Sequence, residues 1–166
     1  GSVVGSVAGR ILEQWVDERW VSTWRISQGS GGRVAHLPSE PAESLAELRQ
    51  HLHEQAWIGW PQAERLPLLD DQGHVYGVVH RDLVRWLGVR THSVHLVGWQ
   101  GDTCWVQERA AHKAEEPGRL DTLVGGTVSW DEDASATLER ETWEEAGLSL
   151  RQLTNLTSFG QIELRY

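Results

Sequence analysis

The segment DASATLERETWEEAG, residues 133 to 147, constrains this chain more than any other stretch. It opens on Asp133, a residue type that caps helix N-termini, continues through Ala, Leu and Glu, and closes on Gly147, a helix stop. A helix is predicted between the two. On that helix Glu141, Glu144 and Glu145 stand at i, i+3 and i+4 and share one face. Like charges at this spacing repel, and in the last turns the helix dipole opposes each acid by roughly 0.3–1 kcal/mol. An acidic helix face is ordinarily just a solvated surface. Here the acids crowd at the end where they are least stable, and Arg140 is one cation against three, so a bound cation is the better account. Carboxylate oxygens alone suit a hard ion, Mg²⁺ or Mn²⁺, rather than Zn²⁺.

The acids belong to a longer pattern. Gly126, five residues, Glu132, seven residues, then Arg140-Glu141-Thr142-Trp143-Glu144-Glu145-Ala146-Gly147-Leu148 resembles the Nudix box, with all of its fixed letters in place over 126–148. Thr142 stands where Nudix proteins usually carry an aliphatic residue, which is expected to weaken a core contact without touching a ligand. The resemblance implies an α+β fold, an α/β/α sandwich around a mixed sheet.

Length and charge agree with an enzyme acting on small molecules. The chain has 166 residues, enough for one domain with an appended half. Its net charge of −9, with Lys and Arg scattered, argues against a nucleic-acid partner. A small phosphorylated substrate is still compatible with it, provided metal ions neutralise the phosphates locally. No apolar run approaches the roughly 18 residues that span a bilayer, so no membrane partner is expected. One cysteine, Cys104, excludes an intrachain disulfide and fits a reducing, cytoplasmic setting.

The pattern changes near Arg90, which predicts a small α+β domain over 1–90 and a second domain over 91–166. In the first, 11–20 reads as a short helix and 28–33 as a flexible turn or linker. Residues 41–55 read as a helix that begins at Pro41 and buries Leu45, Leu48 and Leu52 on one face. LPLLD and HVYGVV flank Asp71-Gln72-Gly73 as a hairpin, and 81–88 is a short helix stopped by Gly88. In the second, SVHLVGWQ and TCWVQERA form a hairpin about Gly101-Asp102, AHKAEEPGR is a polar loop, LDTLVGG a third strand, and NLTSFGQIELRY the start of another. On the Nudix pattern several strands and a second helix should follow. Without them one sheet face is expected to lack its cover, leaving an apolar edge at Phe159, Ile162 and Leu164 that favours a homodimer.

A second resemblance covers roughly residues 50 to 148. Val94-His95-Leu96-Val97-Gly98-Trp99, then Arg109, Lys113, Pro117-Gly118, Leu120-Asp121 and Gly125-Gly126, is similar to the Nudix branch associated with thiamine pyrophosphokinase. In that branch a small N-terminal domain precedes the box, and IGWPQAERLPLL and VRWLGVR look like it. Val97 replaces the usual Asn, and Trp130 occupies a loop position that is more often small. The resemblance implies cleavage of thiamine diphosphate, or of its oxidised analogues, to the monophosphate. Nudix proteins share the box while differing in the pocket, so a nucleoside or isoprenoid diphosphate is the alternative, and a silent binding module a third reading.

The chemistry assigns roles within this frame. Breaking a diphosphate needs water in line with the departing phosphate, and charge neutralisation does most of the work. Glu144 and Glu145 are expected to be the principal Mg²⁺ ligands, with a carbonyl of Gly125 or Gly126 as a further oxygen. Glu141 is expected to be ligand or general base, Arg140 to orient it, and Glu132 to fix loop to helix. Arg109 and Lys113 are candidates for the diphosphate oxygens. Most of the ten tryptophans are expected to be core, whereas Trp130, beside Glu132, could stack on a flat cationic ring, with Trp60 and Trp99 as weaker candidates. Cys104 reads as strand packing, and the dispersed histidines imply no zinc site.

Overall fold

A computed structural model describes residues 3–7, 9–17, 20–30, 32–59, 63–112 and 116–164. The fold is α+β, with helices and short, mostly antiparallel sheets, as the sequence predicts. Its contacts divide the chain into two compact units, residues 1–92 with 127–132 and residues 93–126 with 133–166.

The first unit contains α1 (Gly9–Asp17), the hairpin β1 (Arg25–Gly29) and β2 (Gly32–His36), α2 (Ala42–Glu54), and the hairpin β3 (Arg65–Leu69) and β4 (Val75–His80). A 3-10 turn at Arg81–Leu83 runs into the single turn of α3 (Val84–Leu87). The expected leucine stripe of α2 is buried: Leu45, Leu48 and Leu52 meet Leu66, Leu68 and Val79 of the hairpin, Leu83 and Leu87, and Leu12 and Trp15 of α1. Burying one such side chain contributes about 1.5–3 kcal/mol, so this cluster holds the unit together. Arg49 of α2 adds a two-pronged bond to Asp82, with Nε and Nη2 at 2.9 and 2.8 Å from Oδ2. Gly88 ends α3 at φ 54, where a side chain would strike the Ser6 carbonyl. In the β3–β4 turn, Asp70 Oδ1 accepts the N–H groups of Gln72 and His74.

Of the two readings of 28–33, turn or linker, the turn holds: it joins β1 to β2 in a hairpin in which Gly29 pairs with Gly32 and Arg25 with His36. Glycine and serine signal a turn without saying whether strands flank it, and these strands are too polar to announce themselves.

In the second unit, β5 (Ser93–Leu96) pairs with β9 (Val124–Thr127), and β6 (Gly98–Gln100), β7 (Thr103–Glu108) and β8 (Leu120–Thr122) form a three-stranded sheet. The predicted 93–100 strand breaks at Val97 and the predicted third strand breaks at Leu123, so each contributes to both sheets. Helix α4 (Ala134–Ala146) packs on β5. The strand expected from Asn155 onward does not form within 155–164. Its apolar residues stand exposed, Phe159 at 96% and Ile162 at 85%, and spaced mostly three apart they line no single strand face. The tryptophans also divide: Trp15 and Trp20 are buried, whereas Trp99, Trp105, Trp130 and Trp143 are exposed.

Candidate functional site

Helix α4 begins and ends as its sequence requires. The Asp133 carboxylate accepts the N–H of Ala136 at 2.8 Å, and Gly147, at φ 66, closes the C-terminus. There Gly147 N–H donates to the Trp143 carbonyl and Leu148 N–H to the Thr142 carbonyl, so two of the helix's last carbonyls are satisfied. Thr142 is fully buried, and its hydroxyl donates to the Leu138 carbonyl at 2.6 Å. The expected weakening of a core contact is thereby offset. The polar atom that replaces an aliphatic carbon is hydrogen-bonded, which removes most of its burial cost.

The three acids of α4 are neutralised in two different ways. Arg140 Nη1 lies 2.9 Å from Glu141 Oε1 and 3.1 Å from Glu144 Oε2, so one guanidinium spans both carboxylates. Among the described residues no cation pairs with Glu145. Its Oε2 accepts the Gly125 N–H at 3.0 Å and the side-chain amide of Gln107 at 3.1 Å. Glu141 presses on the next residue of β9: a side chain at Gly126 would collide with Glu141 Cγ, Cδ and Oε1. Gly125 is confined less tightly, with His95 Nδ1 3.0 Å from where its Cβ would stand. The glycines thus let β9 approach the acids on one side and the imidazole on the other, a use of glycine that needs no special φ.

A polar chain leads away from the glycine pair. Arg109 Nη1 donates to Asp121 Oδ2 at 2.8 Å, and Asp121 Oδ1 accepts the Thr122 N–H at 2.8 Å. Burial raises the Asp121 pKa, but the Arg109 hydrogen bond, the Thr122 N–H and the charges of Arg109 and His95 outweigh it and hold the group below its ordinary value. The Thr122 hydroxyl donates to the Val124 carbonyl at 2.9 Å and lies 3.1 Å from His95 Nδ1. A hydroxyl has one proton, so when the Thr122 hydroxyl donates to Val124 the hydrogen of the His95 contact sits on Nδ1.

Of the residues singled out in the sequence, the fold therefore gathers Arg140, Glu141, Glu144, Glu145, Gly125 and Gly126. Arg109 is held by Asp121. Glu132 and Trp130 lie in the 127–132 loop grouped with the first unit; Glu132 N–H donates to Ser129, and Trp130 N–H to Arg65, leaving an exposed indole. Lys113 and Trp60 fall outside the described residues. Gln107 carries no motif letter, and only its place in the β7 alternation, two residues before Arg109, hints at it. A groove of about 460 Å³, lined by Ile11, Gln14, Trp57 and Trp86, belongs to the first unit and contains none of the box residues.

The donor types on offer, the carboxylates of Glu141, Glu144 and Glu145 and the backbone oxygens of the glycine pair, are those a hard divalent cation takes, and not those of zinc. Glu145 Oε1 has no partner among the described residues. No three acidic, imidazole or thiol groups among those residues converge on a common cation position. As folded, Arg140 occupies the place of positive charge for Glu141 and Glu144.

One of three comparisons with known proteins agrees with the motif. The model of the NUDIX domain family matches residues 89–165. No curated protein matches the chain. Among solved structures, DR0079 from Deinococcus radiodurans is 26% identical at a TM-score of 0.49, over 55% of this chain and 57% of that one.

Proposed function

We propose, from the premise that residues 89–165 are a Nudix domain, that this protein is a divalent-metal-dependent hydrolase of a small organic diphosphate. The favoured substrate is thiamine diphosphate or an oxidised analogue, cleaved to the monophosphate and phosphate. The observation that carries the reading is the joint placement of Glu141 against Gly126 and of Glu145 on the Gly125 N–H, which sets the acidic face of α4 along the glycine pair of β9.

Glu144, Glu145 and a carbonyl of Gly125 or Gly126 would hold the cation, Mg²⁺ or Mn²⁺. Bound there, it supplies charge neutralisation for the diphosphate oxygens. Water forms a bond to one phosphorus, the bridging P–O bond breaks with its electron pair leaving on the departing phosphate, and Glu141 takes the proton. Arg140 orients Glu141 through the 2.9 Å contact. Glu132 holds the 127–132 loop, its N–H on the Ser129 carbonyl. Arg109 and Lys113 contact the diphosphate, Arg109 from a position fixed by Asp121. The exposed face of Trp130 stacks on the organic ring. Supporting the thiamine-type substrate are the Arg109, Pro117-Gly118 and Leu120-Asp121 positions of the sequence resemblance. They are joined here by a real contact, Arg109 with Asp121. The same reading takes 1–90 as a small domain preceding the Nudix domain, in a cytoplasmic protein.

The test is phosphate release from thiamine diphosphate, oxidised thiamine diphosphate, a nucleoside diphosphate and an isoprenoid diphosphate, each with and without Mg²⁺. Metal-dependent release, fastest on the thiamine-type compounds, is expected. Turnover of the isoprenoid compound alone would overturn the substrate, and no turnover of any would overturn the hydrolase.

A further inference from the structure

We infer that Gln107 is a positioning residue for metal binding, acting through Glu145. The inference rests on the proposed role of Glu145 as a ligand. Gln107 sits on β7, 38 residues from Glu145 in the chain, yet its amide nitrogen reaches Oε2 at 3.1 Å. The Gly125 N–H meets the same oxygen at 3.0 Å. Two donors on one carboxylate oxygen fix the plane of the group and leave Oε1 as its uncommitted atom. That arrangement prepares a one-oxygen ligand. A carboxylate free to rotate on an exposed helix turn would have to lose that freedom when the cation arrives.

The contrast with the neighbouring acids sharpens the assignment. Glu141 and Glu144 are held by a cation, Arg140, whose charge competes with an incoming metal ion. Glu145 is held by two neutral donors, a backbone N–H and a carboxamide, which orient it without neutralising it. A neutral orienting group leaves the carboxylate's charge uncancelled by a neighbouring cation, which is what a ligand of a hard cation requires. A lysine or arginine at 107 would orient the carboxylate equally well and oppose the metal.

The test compares Mn²⁺ affinity, measured by the loss of the free-ion electron paramagnetic resonance signal, for wild type, Gln107→Met, Gln107→Ala and Glu145→Gln. Gln107→Met keeps the side-chain length and removes the donor. Expected is a Mn²⁺ affinity lowered by about 10-fold or more in both Gln107 variants, with unchanged melting temperature in the absence of metal. The Mn²⁺ concentration for half-maximal hydrolysis should rise by the same factor, with kcat near wild type once metal is saturating. A damaged sheet would instead lower kcat at every metal concentration, and that result would overturn the inference. So would wild-type Mn²⁺ affinity in Gln107→Met, leaving the hydrolase reading intact. If Glu145→Gln also binds Mn²⁺ as wild type does, Glu145 is no ligand, and both the inference and that part of the site fall.

Discussion

The first unit buries its apolar residues, and the second shows many of them to solvent. In the first, Leu48, Leu52, Leu68 and Leu83 are fully buried in one continuous cluster. In the second, the buried set among the described residues is Leu96, Val124 and two threonines, Thr137 and Thr142, while Trp99, Trp105, Val106, Leu120 and Trp143 are exposed. Both units carry hydrogen bonds between distant elements, but those of the second concentrate on the acids of α4 and on the Asp121–Thr122–His95 chain, whereas Arg49–Asp82 and Arg81–Glu64 of the first brace its packed elements. One unit is held mainly by packing, and the other spends its conformational precision on placing polar groups. Substitutions in the first should register as stability, and substitutions in the second as activity.

The largest effect should come from the first unit. Leu48→Ala removes a fully buried side chain at the centre of the cluster and should cost about 2–5 kcal/mol in denaturant unfolding. Hydrolysis per folded molecule at low temperature should stay near wild type. If activity vanishes well below the melting transition, the two units do not separate packing from chemistry, and the comparison breaks.

Next is Glu145→Gln, expected to lower metal-dependent turnover by about 100-fold or more, with the fold intact. Glu145 stands at i+4 from Glu141 and in the last turn of α4, where its charge is unfavourable. Removing that charge should leave the melting temperature level or slightly raised, since glutamine still offers an oxygen to the Gly125 N–H. A strongly lowered melting temperature would mark Glu145 as structural and sink its assignment as a ligand.

How much of this was legible follows the same division. The α2 stripe, the β3–β4 hairpin and both ends of α4 could be read because each is written in a local period or a single capping residue, Asp133 and Gly147 among them. The acids of the site were legible for the same reason: i, i+3 and i+4 on a helix fix a common face. What could not be read is whatever depends on the register between elements far apart in the chain. Gln107 on Glu145 and His95 beside Gly125 are of this kind. The strands of the β1–β2 hairpin are too polar to be read, and the apolar residues after Asn155 suggest a strand but do not name a partner for it.

A smaller effect is expected at Asp121. Its pKa in the folded protein lies below the ordinary value of 3.8, so the group contributes stability that is present above that pH and lost as pH falls below it. The ion pair with Arg109 is partly exposed, its side chains at 30% and 27%, which limits it to roughly 0.5–1 kcal/mol. Asp121→Asn should therefore destabilise by about that amount at pH 7 and by much less near pH 3. A penalty that is equal at both pH values would show that the hydrogen bonds of Asp121, and not its charge, hold the Arg109–Thr122 chain.

The smallest effect is expected at Thr142, where the two units' logics meet in one residue. The position is fully buried like the leucines of the first unit, yet its side chain makes a hydrogen bond, like the polar groups of the second. Thr142→Val keeps the shape and puts an aliphatic group where such a helix usually has one. It removes the hydroxyl and its bond to the Leu138 carbonyl together, so no donor is left stranded. That carbonyl lies in mid-helix, where the backbone N–H four residues on can still bond to it. Losing both the polar atom and its bond is close to neutral, and a threonine bonding back to the i−4 carbonyl slightly opposes the straight helix. The expected change is within about 0.5 kcal/mol of wild type, on the stabilising side, with turnover unchanged. Loss of 1 kcal/mol or more, measured by denaturant unfolding, would show that the Leu138 carbonyl depends on the hydroxyl. The second unit's reliance on hydrogen bonds would then extend into its core.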